Sequence, residues 1–247
     1  MSRTRFFSLR TLIIALAGWL ALSTTFVAAV VLIGGGPNTR AVILMGSGLV
    51  LLWIALGGTL MYRARDRVRS FALRLRLDWR VSFVLMATLL ALLEEAVTTG
   101  MTNLAPLFGV PIGAAYITAS ANYLDVVCLH SVVVFVPMFA AWAFLLQRVE
   151  FRPSVVFLLF GLTGTLAEAG LSGAQAFAEI AMWVFVYGLM VYLPAYCVPT
   201  ERGARPPRWW HYPLAVLLPF VFAIPVAAVV GALHPIPIHF PPIAPGS

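Results

Sequence analysis

VSFVLMATLLALLEEAVTTGMT, residues 81–102, decides in which solvent this chain folds. Its first thirteen positions are apolar apart from the hydroxyls of Ser82 and Thr88, and only then come two adjacent acids, Glu94 and Glu95. Hydrocarbon about 30 Å thick is crossed by roughly 20 apolar residues in a helix. Val81 to Thr102 therefore reads as a transmembrane helix carrying a pair of carboxyls toward its far end.

Six further runs reach the same length: Thr11 to Gly34, Ala41 to Tyr62, about Val126 to Gln147, Pro153 to Gly173, Phe177 to Pro199, and Tyr212 to Leu233. The chain is 62% hydrophobic and 10% charged, with a mean hydropathy of +0.97, whereas soluble domains carry roughly 25% charged residues. The expected fold is all-α: a polytopic bundle of about seven transmembrane helices forming one membrane domain over residues 1–247.

All sixteen basic residues are arginines, and they cluster. Arg3, Arg5 and Arg10 precede the first run, a basic loop at 63–80 holds seven, Arg148 and Arg152 follow the fourth, and Arg202, Arg205 and Arg208 follow the sixth. Only Arg40 falls on the other side. In a soluble protein a net charge of +7 would suggest nucleic acid. Here the positive-inside rule absorbs it, placing the N-terminus in the cytoplasm and the C-terminus outside, in a plasma (inner) membrane. The 63–80 loop is suited to anionic lipid headgroups, each arginine near the surface contributing about 1 kcal/mol. The first run outlasts a signal-peptide core of about 7–15 residues, so it reads as an uncleaved anchor. Cys128 and Cys197 form neither a disulfide framework nor a zinc spacing.

Between the third and fourth runs, residues 103–125 are rich in turn formers (Pro106, Gly109, Pro111, Gly113) and too polar in their second half for lipid. A full crossing here would invert every later arginine, so a re-entrant or interfacial segment is expected. A faint repeat surrounds it. Leu93-Glu94-Glu95-Ala96 lines up with Leu166-Ala167-Glu168-Ala169, and Val134-Phe135-Val136 with Val184-Phe185-Val186. That points to two parallel hairpin repeats, helices three-four and five-six. Gly161, Gly164, Gly170 and Gly173 in helix five leave room for a close neighbour. The proline-rich 234–247 tail cannot be helical and is expected to lie extended on the outer surface.

Of the nine acids, Asp66, Asp78, Glu150 and Glu201 sit among arginines. The other five do not. Glu94, Glu95 and Glu168 fall at matched depth in the outer part of the hydrocarbon, and Glu179 and Asp125 open helices from the outside, with His130 close by and Asn122 on the approach. Unpaired carboxylates in low dielectric must be protonated, hydrated or bound to a cation. Intramembrane acids mark functional sites by default. The expected site uses Glu95, His130, Glu168 and Glu179 to bind protons or a divalent metal ion, with Glu94, Asn122 and Asp125 in support. Glu95 is expected to face the bundle centre, sharing a face with Thr98, Thr99 and Thr102, and Glu94 to lie behind it.

Glu94-Glu95-Ala96-Val97-Thr98-Thr99-Gly100 resembles the opening E-E-x-x-x-R-G motif of the CAAX-protease family of intramembrane glutamic proteases, with His130 following. The resemblance implies peptide hydrolysis, Glu95 as the base that activates water and His130 as its partner. Thr99 stands where the motif has arginine, Val126 where an aromatic precedes the histidine, and no later histidine-x-x-x-asparagine occurs. Three functions thus stay open: an outward-facing carboxylate and histidine site serving transport, an intramembrane hydrolase using the same residues with or without metal, or a scaffold that buries its acids against partner subunits.

Overall fold

The computed structural model describes residues 8–234 and Phe240. Among them the chain is helical, without strands, and six helices are long and apolar enough to cross a membrane, seven if a bent pair counts as one span. It is a multi-pass integral membrane protein. The helices are α1 (Leu9–Gly34), α2 (Pro37–Arg74), α3 (Trp79–Asn103), α4 (Tyr123–Leu129), α5 (Val132–Arg148), α6 (Pro153–Ser172), α7 (Ile180–Cys197) and α8 (His211–Leu233).

Local chemistry sets their ends. Ser8 caps α1 by accepting from the Thr11 N–H at 3.1 Å, and Asp78 caps α3 by accepting from Arg80 N–H at 2.8 Å. Pro37 and Pro153 open α2 and α6, where a missing N–H has no intrahelical partner to lose. The bent pair is α4 and α5, which meet at 43° around His130 and Ser131. There the Val126 carbonyl accepts from the His130 and Ser131 N–H groups and from the Ser131 hydroxyl at 3.1 Å, which closes the end of α4.

Two boundaries differ from the sequence reading. The basic loop expected over 63–80 is helical as far as Arg74, because α2 runs 38 residues through a π-helical stretch at Val50–Gly57. Arginine, alanine and leucine are good helix formers, so nothing in that segment stops the helix until Arg76 turns with φ 51°. Phe177 lies in a 3-10 turn (Ala174–Phe177) and α7 begins only at Ile180, since Gly173 with φ 82° ends α6 and the chain needs several residues to reverse.

Helix α7 is the hub, packing on α6, α3 and α2, and more weakly on α1. Being apolar on every side it belongs inside. Trp53 ties α2 to it, donating Nε1–H to the Val186 carbonyl at 3.0 Å. The α6–α7 crossing is close: a Cβ on Gly161 would stand 2.7 Å from the Val184 Cα, and one on Gly188 2.7 Å from the Phe157 carbonyl oxygen. Both expected hairpins form, α3 packing on α4 and α5 and α6 on α7.

Residues 104–122 are irregular and seal one end of the bundle. Ala105, Val110 and Ala115 are buried with Ala41 and Met45 of α2 and Met101 of α3. Their polar backbone is satisfied locally: Ile117 N–H donates to Thr102 Oγ1 at 3.2 Å, and Asn103 Nδ2 donates to the Ala121 carbonyl at 2.9 Å. Phe240 stacks on Tyr116 at 4.8 Å and donates its N–H to the Ala119 carbonyl. The rest of the tail expected to be extended, apart from His234, lies outside the described residues.

The opposite end collects the arginines. The 149–152 and 198–210 connections bond to each other through Glu150 N–H to the Arg205 carbonyl (2.8 Å) and Arg205 N–H to the Arg148 carbonyl (2.9 Å). Tyr196 at the end of α7 donates to Asp66 of α2 at 2.6 Å. All three arginine-rich connections therefore share one end, and 104–122 stays at the other.

Candidate functional site

Helix α3 carries the centre of the site. Glu95 lies sixteen residues into it, about 24 Å from the arginine end at 1.5 Å per residue. Glu94 and Glu95 are 4% and 7% exposed, and Thr98, Thr99 and Thr102 beyond them are buried as well. Adjacent helical residues point about 100° apart. Both glutamates are nonetheless interior because α3 is wedged between α5 on one side and α7 on the other. Glu94 is as enclosed as Glu95, and both feel the charge of Glu168.

Two helices, a helix break and the 104–122 segment supply the partners. From α3 itself, Thr98 Oγ1 donates to Glu95 Oε2 at 3.1 Å. From the α4–α5 break Ser131, and from the 104–122 segment Thr118, present hydroxyls to the same carboxyl. From α7, Tyr187 donates its hydroxyl to Glu168 Oε1 of α6, and it also lies in the electrostatic field of Glu94 and Glu95. Phe135 of α5 meets the Tyr187 ring edge-on at 5.8 Å and holds it there. Glu94, Glu95, Glu168 and Tyr187 thus form one cluster lined with hydroxyls. Thr99, four residues after Glu95 and on its face, keeps a buried hydroxyl with no hydrogen-bond partner.

Glu179, Asn122 and Asp125 lie toward the bundle end. Glu179 is exposed at the start of α7 and is felt by Glu168, so acids lead from the bundle end into the cluster with decreasing exposure. Although the residue is exposed, partial desolvation of its carboxyl pushes the Glu179 pKa up. Asn122 caps α4, accepting from Leu124 N–H at 3.0 Å, and Asp125 accepts from Ser120 Oγ at 3.4 Å. His130 ends α4, and the hydroxyl of its neighbour Ser131 reaches Glu95. Among the described residues, no three His, Cys, Asp or Glu side chains gather closely enough to hold a metal ion.

No family model, curated protein or solved structure matches this chain.

Ion pairs join Arg65 to Asp66 and Arg80 to Asp78, both at the arginine end. The cluster is held by hydroxyl donors instead. Sequence reading missed Tyr187, Ser131 and Thr118. A phenol in the middle of an apolar span was the available signal, since a buried Tyr hydroxyl needs a partner.

Proposed function

We propose that this protein binds protons at the Glu94, Glu95, Glu168 and Tyr187 cluster and uses them in membrane transport. The observation that carries the reading is three carboxyls converging where hydroxyls, and no arginine, are their partners. Three like charges in a poorly solvated interior cannot all be ionised together, so the cluster shares protons as a unit. Hydroxyls suit this role because each can donate to a carboxylate or accept from a carboxylic acid as the proton moves. Glu179 gives the cluster an entrance from the end opposite the arginines, and the unpartnered Thr99 hydroxyl leaves a polar position beside Glu95 for water or solute.

The test is infrared difference spectroscopy of the reconstituted protein across a pH step, with proton uptake counted by a pH indicator. The wild type should show a carboxylic-acid carbonyl band that Glu95→Gln and Glu168→Gln each diminish, with at least one proton fewer taken up by the double variant. Divalent cation that displaces protons from the wild type alone would make the cation the occupant. Identical bands and proton counts in wild type and double variant would end the reading and favour a scaffold. Glu179→Gln should keep the band and slow its appearance.

A further inference from the structure

At the arginine end a crevice of about 240 Å³ opens between the last turn of α2, the start of α3 and the end of α7. Its walls are mostly apolar: Leu73 and Leu77, then Phe83 and Met86 deeper along α3, with Pro194 opposite. From Asp78 to Met86 is about 12 Å of helix, so the crevice leads from the membrane surface into the hydrocarbon. Ser82 lines it too, and the Ser82 Oγ is buried without a hydrogen-bond partner. Buried hydroxyls are nearly always paired, and an orphan in a crevice wall marks where an acceptor belongs.

The charge around the mouth is net positive. Residues 63–80 hold seven arginines against Asp66 and Asp78. Asp78 is engaged by Arg80 at 2.7 and 2.9 Å, and Asp66 by the Tyr196 hydroxyl at 2.6 Å. Arg74 and Arg76 make no ion pair among the described residues. Neither lines the crevice itself, whose charged lining residue is Asp78, but they alternate with exposed Leu73, Leu75 and Leu77 on the chain that leads to its mouth, which suits guanidinium groups at the headgroup level.

We propose that this crevice holds one anionic phospholipid of the adjoining leaflet. An acyl chain lies along Leu77, Phe83, Met86 and Pro194, an ester or phosphate oxygen accepts from Ser82, and the headgroup charge faces Arg74 and Arg76. A soluble anion would leave the apolar wall unused, and a zwitterionic lipid would gain little from the arginines. The site lies at the other end of the bundle from the proton cluster and stands or falls independently of it.

Two measurements on the full-length protein test it. Native mass spectrometry counts phosphatidylglycerol and phosphatidylcholine retained after detergent exchange, and photo-crosslinking of the wild type with a diazirine-bearing phosphatidylglycerol maps the labelled peptides. One phosphatidylglycerol per chain should be retained in preference to phosphatidylcholine, and labels should fall within 72–86 and 194–199. Arg74→Gln with Arg76→Gln should weaken retention roughly thirtyfold, about fivefold per arginine, and Ser82→Ala should weaken it less. Arg205→Gln with Arg208→Gln, on the same face but away from the crevice, should change little. Equal retention of both lipids, labels spread over all lipid-facing helices, or equal weakening by the distant pair would overturn the proposal. If the Arg74 and Arg76 variant does not fold, the wild-type crosslinking map decides alone.

Discussion

Gly164 and Tyr187 form the tightest pairing in the bundle, because a Cβ on Gly164 would stand 2.7 Å from the Tyr187 Cβ and overlap its ring. Gly164→Ala must therefore displace the ring and separate its hydroxyl from Glu168. Overpacking of this kind costs about 1–3 kcal/mol, so the variant should melt lower and lose the cluster's infrared band. An unchanged band would show that Tyr187 does not organise the carboxyls. At the other end, Asp78 joins an N-cap to an Arg80 pair, and hydrogen bonds from Arg80 hold its carboxyl down at about 2, below the ordinary 3.8. A depressed acid adds stability above its unfolded value and loses it as pH falls. Thermal melts should show that contribution fade between about 3.8 and about 2, and the Asp78→Asn variant, which keeps the cap without the charge, should lack the fade. The acids themselves were legible in the sequence because a carboxylate in hydrocarbon is conspicuous. Their partners were not, since Ser131, Thr118 and Tyr187 look like ordinary residues until the α4–α5 break and the 104–122 segment bring them to Glu95 and Glu168.

Among the elements, long apolar runs were easy to read, because burial in lipid leaves only helices, and the third, fifth and seventh spans sit within a few residues of their expected ends. What hydropathy could not show was continuity. Arginines after Tyr62 look like a loop on charge alone, yet their helix propensity carries α2 twelve residues further. The glycines of α6 were half legible in the same sense. Gly161 and Gly164 do admit α7, Gly170 meets nothing within 4 Å, and Gly173 serves a positive φ instead. The connections between elements rest on Arg202, whose guanidinium donates to the carbonyls of Pro199 at 2.6 Å and Leu146 at 2.7 Å. Burial presses its basicity down, but the planar fork still ties the end of α5 to the chain after α7. Arg202→Ala should destabilise the protein by roughly 1–3 kcal/mol through lost charged hydrogen bonds. Lys, a point donor without the fork, should recover less than half of that in the same melting experiment.

Across the whole molecule, the hydrogen bonds that join the 149–152 and 198–210 connections, and the one that joins Tyr196 to Asp66, bring every long arginine cluster among the described residues to one end. Residues 104–122 stay at the other end with Arg40 the lone arginine near them, so this segment leaves the direction of the later helices unchanged. Arginines resist crossing a membrane during insertion and stay on the cytoplasmic side when they flank short loops. We therefore expect a reporter inserted at Arg76 to read cytoplasmic and one fused after Ser247 to read external. Cysteines placed at Arg148 and Arg202 should be shielded from an impermeant thiol reagent in intact cells and react once the membrane is opened. This matters for the chemistry, because with that orientation Glu179 and the Glu94, Glu95 and Glu168 cluster would face the outside and the proposed lipid crevice the cytoplasm. Labelling of Arg148 and Arg202 positions from outside, together with a cytoplasmic C-terminal reporter, would reverse the molecule. The cluster would then load protons from the cytoplasm, and the crevice would have to draw its lipid from the outer leaflet.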